Sequence, residues 1–233
     1  MTDILIHDIS GSTERLLAVA AALTDPDVRQ SSNLPGWTIG HVLSHIAFNA
    51  EAFVQCATDL RAGRTGTMYP EGFAGRAQAI ETGSLRSAND IVTHLRESAN
   101  AFELSWSDAP PAGPCITASG FPEFSSNTVL LRRLREVEVH GADTGLASLS
   151  YAHWSLPFVA ADLPTQLDTV PKRTDEPFAA IDDVNQEWRY GNTNDELVSV
   201  TRQELLAWVL DRHSVVGLPS LLGWGDQSRW RTP

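Results

Sequence analysis

The chain has few cysteines, one lysine and no long apolar run, and each shortage excludes a class of protein. Its two cysteines, Cys56 and Cys115, form no CxxC pair, so the sequence contains neither a zinc knuckle nor a dithiol redox motif. No apolar run could span a bilayer, and the first residues lack the basic start and apolar core of a secretory signal. We therefore expect a cytoplasmic protein without a disulfide, in which Cys56 lies on a helix and Cys115 in a loop.

Basic residues are also scarce. The 233 residues include 17 Lys and Arg against 29 Asp and Glu, which gives a formal net charge of −12. Nucleic acids and anionic membranes bind basic surfaces, so neither is an expected partner. An acidic chain that binds an acidic small molecule has to do so locally, through a few placed arginines or a metal. No apolar surface motif indicates self-association, and we expect a monomer.

The first 150 residues contain a series of helix-forming segments. Thr38 can cap a helix that runs from Ile39 to about Leu60. The residue pattern predicts further helices over 4–24, over 88–105, and from Ser125 or Ser126 to about 146. Residues 61–86 are rich in glycine and are predicted to form a long loop. Four helices with long connections predict a four-helix bundle over 1–150, and such bundles hold metals between facing helices.

Residues 151–233 follow a different pattern. A helix is predicted over 156–167, and the strand-like runs FAAIDDV, EWRYG and ELVSV follow it. Thr201 and Glu204 form a capping box that begins a helix to about Arg212. The order α-β-β-β-α predicts a small α+β domain over 151–233, so the expected fold class of the whole chain is α+β. The tail from Gly217 onward is expected to pack across the domain junction.

Two helical motifs could supply metal ligands. The first is His41-Val-Leu-Ser-His45 and the second is Glu136-Val-Glu-Val-His140. A spacing of four places the two ends of each motif on one helix face. If the two helices face each other, two or three imidazoles and a carboxylate meet, a set that suits zinc with one open position. Surface pairs without a metal have the same spacing, so the motifs alone leave both interpretations open.

The segments around these motifs resemble a known family. GWTIGHVLSHIAFNAEAF is similar to the opening motif of the mycothiol-dependent maleylpyruvate isomerases, a branch of the DinB-like metal-binding bundles. LREVEVHGADTGL is similar to their second ligand motif, and TMYP and LLAWVLDR lie where that family has counterparts. The resemblance spans nearly the whole chain. It implies that His45, Glu136 and His140 hold zinc or another divalent metal.

The resemblance also implies roles for residues around the ligands. His41 matches a position that is not a ligand, which favours a packed histidine. Glu138 is expected to be a solvated or structural charge. Asp143 is either an acceptor for a ligand N–H or a polar residue at a helix end. Arg212 matches a family arginine that would be catalytic by anchoring a substrate carboxylate, and a surface arginine at a helix C-terminus is the alternative.

The function implied by the resemblance is cis–trans isomerisation of maleylpyruvate, or a similar unsaturated oxo-acid, with mycothiol or a related thiol as cofactor. A thiolate adds to the conjugated double bond, the resulting single bond rotates, and the thiolate leaves. The metal would deprotonate the thiol, so neither protein cysteine is needed. Two alternatives stay open: an S-transferase that joins the thiol to an electrophile, and a non-catalytic zinc-binding regulatory module. The lack of a cysteine beside the ligands counts against the second alternative.

Overall fold

The computed structural model describes residues 4–107, 111–117, 123–191 and 196–223. The chain divides into two compact units, one of residues 4–150 and one from residue 151 onward. The first unit is mostly helical and the second combines helices with a small sheet, so the predicted α+β fold class is confirmed. In the described ranges no helix combines the length and the apolar character that a membrane crossing requires.

The N-terminal unit is a helical bundle built around its longest helix. Its helices are α1 (Ile6–Ala20), α2 (Asp25–Val28), α3 (Ile39–Arg61), α4 (Gly72–Ser84), α5 (Ala88–Trp106) and α6 (Val129–Asp143). Helix α3 packs against α4, α5 and α6, and α1 packs against α5 and α6. The four helices predicted from the sequence, now α1, α3, α5 and α6, therefore form the bundle.

The central helix begins at a cap and is held by its apolar face. Thr38 Oγ1 accepts a hydrogen bond from the backbone N–H of His41 at 3.3 Å, which satisfies one of the free N–H groups of the first turn. Leu43 and Ile46 of α3 are fully buried with Leu95 of α5 in the bundle core. Each such side chain contributes about 1.5–3 kcal/mol on burial. This packing fixes which face of α3 is turned toward α6.

The prediction of a long loop over 61–86 is wrong. This segment contains a strand at 66–68 and helix α4, which packs on α3. Glycine lowers helix propensity, but here Gly83 allows a close approach between the two helices. A Cβ added at Gly83 would lie 3.0 Å from Phe48 Cε2 and 3.0 Å from Ser44 Oγ. Contacts with a distant part of the chain therefore stabilise a helix that local composition does not favour.

Two glycine-to-alanine substitutions should have opposite effects on stability. Gly83→Ala is expected to destabilise the chain by about 1–3 kcal/mol, because the new methyl group overpacks the contact between α4 and α3. Gly11→Ala on α1 is the matched control, since nothing lies within 4 Å of its added Cβ. It should stabilise the chain by about 0.5–1 kcal/mol through helix propensity. Urea denaturation measures both, and equal effects would contradict the close approach at Gly83.

A small sheet flanks the bundle and brings the two cysteines together. Its strands, in sheet order, are β1 (Gly66–Met68), β2 (Pro114–Thr117) and β3 (Phe124–Ser125). Cys115 lies on β2 opposite Gly66, so its prediction as a loop residue is wrong, whereas Cys56 lies on α3 as expected. Both thiols are buried. A hydrogen bond with Cys115, and then burial, raise the pKa of Cys56, which keeps this thiol protonated at neutral pH.

The C-terminal unit has the predicted order α-β-β-β-α. Its elements are α7 (Leu156–Leu167), β4 (Phe178–Ile181), β5 (Glu187–Tyr190), β6 (Val198–Ser199) and α8 (Arg202–Val209), with sheet order β5-β4-β6. The capping box is present, since Thr201 Oγ1 accepts from the Glu204 N–H at 3.1 Å and Glu204 Oε2 accepts from the Thr201 N–H at 2.8 Å. Helix α8 ends before Arg212 because Asp211 has a φ of +60°, in the left-handed region. Most of the predicted tail, from residue 224, lies outside the described residues.

Candidate metal centre

Three side chains meet between α3 and α6. His45 projects from α3, and Glu136 and His140 project from successive turns of α6. One ligand atom from each lies within 4.8 Å of the other two. Glu136 Oε2 is 2.9 Å from His45 Nε2 and 3.5 Å from His140 Nε2. The structure thus brings together the three side chains that the sequence predicts as ligands.

The unsatisfied atom in this cluster tests whether the residues fit a metal. Glu136 Oε2 is shielded from water, and no donor among the described residues reaches it with hydrogen-bond geometry, although His45 Nε2 is close. A buried acceptor without a partner costs about 1–3 kcal/mol, and a cation would satisfy it. Two imidazoles and one carboxylate form a donor set that is found in catalytic zinc sites, and such sites keep a fourth position open. The residues therefore fit a divalent metal.

The electrostatics of the cluster keep its groups in metal-binding forms. Burial, followed by the charge of His140, lowers the pKa of His45 to about 4, so this imidazole is neutral at neutral pH. Burial alone would raise the pKa of Glu136, but the adjacent side chains of His45 and His140 and the charge of Arg133 hold that pKa well below its usual range. A neutral imidazole and an ionised carboxylate are the forms that bind a metal.

The ring of His140 is oriented by Asp143. His140 Nδ1 lies 2.9 Å from Asp143 Oδ2, and the Asp143 carboxylate is buried. The Nδ1–H group donates to this carboxylate, which leaves the Nε2 lone pair directed toward Glu136. Of the two interpretations of Asp143, the structure favours the acceptor, here for the N–H of the candidate ligand His140.

Removing this acceptor should weaken metal binding. Asp143→Ala is expected to lower zinc affinity by about 10- to 100-fold, because the His140 ring loses the partner that fixes its tautomer and orientation. Asp143→Asn retains an acceptor oxygen without the charge and should lie between the alanine variant and the wild type. Competition with a chromophoric chelator measures these affinities. Identical affinities for all three proteins would show that Asp143 does not support the ligand.

The cluster opens into a cavity of about 390 Å³. Its walls come from α3, α4, α6 and the strands of the small sheet, all within the N-terminal unit. Both apolar and cationic side chains line it together with the three candidate ligands. The lining residues are His45, Asn49, Phe53, Met68, Tyr69, Phe73, Arg76, Thr117, Phe124, Arg132, Arg135, Glu136 and His140.

Comparisons with known proteins agree with this architecture. Residues 9–145, more than half of the chain, match the family model of the mycothiol maleylpyruvate isomerase N-terminal domain. The chain belongs to this family. The resemblance drawn from the two ligand motifs is therefore confirmed. No curated protein sequence matches the chain.

The family fold extends over both units. A crystal structure of the mycothiol-dependent maleylpyruvate isomerase matches with a TM-score of 0.80 and 19% identity, covering 94% of this chain and 95% of that chain. A crystal structure of a histidine-to-alanine mutant of that isomerase matches with a TM-score of 0.79 and 18% identity, over the same shares. At these identities the likeness establishes a shared fold.

Two polar residues near the candidate ligands have structural partners in this member of the mycothiol maleylpyruvate isomerase family. His41 lies outside the cluster, with Nδ1 2.8 Å from Thr38 Oγ1 and Nε2 3.1 Å from Glu81 Oε2. It is the packed histidine that the sequence favours. Glu138 is buried and accepts hydrogen bonds from Arg15 at 2.9 and 3.0 Å, which ties α6 to α1. Of the two roles expected for Glu138, a solvated charge or a structural charge, the structure shows the structural one.

Arg212, the predicted catalytic arginine, follows α8 in the C-terminal unit. Its Nη1 donates to the carbonyl of Leu210 at 2.8 Å, and its backbone N–H donates to the carbonyl of Ala207 at 2.8 Å. These are contacts of the helix-end alternative, in which a cation interacts with the last carbonyl groups. Its role in activity stays a prediction.

The cavity lining includes three arginines and a tyrosine that were not named as candidates from the sequence. Arg76 lies on α4, a helix in a segment whose composition predicts a loop. Arg132 precedes Glu136 by four positions, so the spacing argument could have placed it on the ligand face. Arg135 directly precedes Glu136 in the sequence. Tyr69 has a φ of +52°, uncommon for a bulky side chain, and only the TMYP motif of the family pointed to it.

Proposed function

We propose that this chain is a metal- and thiol-dependent cis–trans isomerase. Its substrate would be maleylpyruvate or a similarly conjugated unsaturated oxo-acid, and its cofactor mycothiol or a related small thiol. The observation that carries the proposal is the cluster of His45, Glu136 and His140 opening into a cavity, in a chain of this family. Zinc is the metal that this ligand set suits best.

The residues of the cluster would hold the metal and leave one position facing the cavity. A divalent metal bound there would lower the pKa of a coordinating thiol, so that thiolate is present at neutral pH. Asp143 fixes the ring of His140, and the packing of α3 fixes that of His45. Neither Cys56 nor Cys115 lines the cavity, which supports a thiol supplied from outside the chain.

The cavity also has the properties that an unsaturated oxo-acid requires. Phe53, Met68 and Phe124 supply an apolar wall for the carbon skeleton, and arginines supply positive charge. Tyr69 is partly buried, and burial raises the pKa of its hydroxyl, so it remains a neutral hydrogen-bond donor. A neutral donor and guanidinium groups can stabilise the negative charge that develops on a carbonyl oxygen when a thiolate adds to the conjugated alkene.

Product analysis by NMR tests this proposal. Zinc-loaded protein is incubated with maleylpyruvate, with and without mycothiol, and His45→Ala is compared with the wild type. We expect thiol-dependent conversion to fumarylpyruvate that is lost in His45→Ala and retained in His41→Ala. A stable thioether product would mean that the chain acts as an S-transferase and not as an isomerase. If zinc-bound protein gives neither product with this substrate and this thiol, the proposal is overturned. The non-catalytic zinc-binding module would then be favoured.

A further inference from the structure

The two cysteines of the chain meet at one point of the small sheet beside the bundle. Cys56 projects from α3, and Cys115 lies on β2 directly opposite Gly66 of β1. Both cysteine side chains are fully buried. A Cβ added at Gly66 would lie 3.1 Å from Cys115 Sγ and 3.2 Å from Cys56 Cβ, so glycine leaves the room that both side chains occupy. Segments far apart in the sequence therefore place two thiols side by side.

The two thiols differ in how readily they ionise. The S–H group of Cys56 donates a hydrogen bond to Cys115 Sγ. This hydrogen bond lowers the pKa of Cys115, and the charge of Arg132 acts in the same direction against the effect of burial. The same hydrogen bond, followed by burial, raises the pKa of Cys56. Cys115 is therefore the thiol that ionises first, and the thiolate is the nucleophilic form of cysteine.

The positive charge near Cys115 is held in place by the neighbouring strand. Phe124 lies on β3, directly opposite Cys115 on β2. The guanidinium group of Arg132 lies over the Phe124 ring, with Cζ 4.3 Å from the ring centroid. Its Nε donates to Thr128 Oγ1 at 3.0 Å, which fixes this orientation. A fixed cation near a cysteine favours its thiolate, so the geometry of the sheet agrees with Cys115 as the nucleophile.

The cysteine pair lies behind the wall of the cavity. Side chains two positions apart in a strand point to the same face of a sheet. Thr117 therefore shares the face of Cys115 on β2, and it pairs with Met68 of β1. Both Thr117 and Met68 line the cavity. For a small neutral molecule the cavity is therefore an access route to the two thiols, past these two side chains.

We propose that Cys56 and Cys115 are a redox-sensitive pair that hydrogen peroxide converts to an intramolecular disulfide. The Cys115 thiolate attacks a peroxide oxygen, the O–O bond breaks, and the departing hydroxide takes up the proton that Cys115 lost, which gives water and a sulfenic acid. Cys56 then gives up its proton and attacks the sulfenic sulfur, so that the S–S bond forms, the S–O bond breaks and a second water leaves. Two thiols lose two electrons in all, and these reduce one peroxide. Neither the metal nor a substrate takes part, so the pair does not rest on the proposed function.

Thiol counting on the full-length chain tests the pair. Zinc-loaded protein is exposed to hydrogen peroxide, alkylated under denaturing conditions and analysed by mass spectrometry. We expect the two free thiols of the chain to fall to none without formation of a dimer, and dithiothreitol to restore both. Peptide mapping should find Cys56 joined to Cys115. Two free thiols left after an exposure that oxidises free N-acetylcysteine completely, or a disulfide between two chains, would overturn the proposal.

Single serine variants test the roles of the two thiols. In Cys56→Ser the reaction should stop at a sulfenic acid on Cys115, which dimedone traps. In Cys115→Ser the remaining thiol should oxidise about tenfold more slowly, because it stays protonated. An unfolded chain would treat the two thiols alike, so equal rates, or a faster reaction of Cys56, would overturn the assigned roles. The count on wild-type protein needs no variant, and it decides the proposal even if a serine variant does not fold.

Discussion

Replacing His45 by alanine is expected to weaken zinc binding by about 100- to 1000-fold. Small structural zinc sites bind their metal with about 10–16 kcal/mol in total, so one ligand of such a set accounts for about 3–4 kcal/mol. His45 is the only one of the three candidate ligands that α3 supplies. Its loss leaves Glu136 and His140 on a single helix, where they cannot surround an ion. Competition titration with a chelator of known affinity measures the change.

His41→Ala is the matched control for that experiment. His41 lies one turn earlier on the same helix, and its ring nitrogens contact Thr38 and Glu81 instead of the cluster. We expect this variant to bind zinc as tightly as the wild type. A His45→Ala variant with wild-type affinity, or a His41→Ala variant that loses zinc, would show that the ligands are assigned incorrectly.

Arg133→Met is expected to destabilise the metal-free chain by about 3–5 kcal/mol. The Arg133 side chain is fully buried, and its Nη1 donates to the carbonyl of Ile46 at 2.7 Å and to Asn49 Oδ1 at 3.0 Å. Burial lowers its pKa to about 10, so at neutral pH the side chain is still positively charged. This charge is opposite in sign to that of the Glu136 carboxylate. Methionine fills much of the volume, but it leaves the Ile46 carbonyl and Asn49 Oδ1 without their donor. It also leaves the Glu136 carboxylate without the nearby positive charge of Arg133. Urea denaturation measures the loss.

Arg135→Met is the control for Arg133, since it removes the same charge two positions further along α6. Its side chain is partly exposed at the cavity, so we expect a change in unfolding free energy within about 1 kcal/mol. Comparable losses in the two variants would mean that burial of Arg133 does not determine its contribution.

The candidate ligands could be predicted because their signal is local. A spacing of four places Glu136 and His140 on one face of α6, and the family motif around His45 indicated the partner helix. The apolar periodicity of α3 and α5 also located the bundle core, since buried positions recur on one face of each helix. These inferences depend only on residues within a few turns of each other.

The features that could not be predicted depend on contacts between distant segments. Helix α4 forms because Gly83 packs closely on α3, and no local pattern of α4 shows that neighbour. Arg76 was missed for the same reason. The adjacency of Cys56 and Cys115 likewise follows from the pairing of β1 with β2 beside α3, across residues far apart in the sequence.

The identity of the metal ligands is the central claim, and zinc X-ray absorption spectroscopy tests it most directly. For thiol-free, zinc-loaded protein we predict imidazole and carboxylate scattering at about 2.0–2.1 Å and no sulfur shell. Addition of mycothiol should introduce one sulfur at about 2.3 Å. A sulfur shell before the thiol is added, or a spectrum that His140→Ala leaves unchanged, would contradict a centre built from His45, Glu136 and His140.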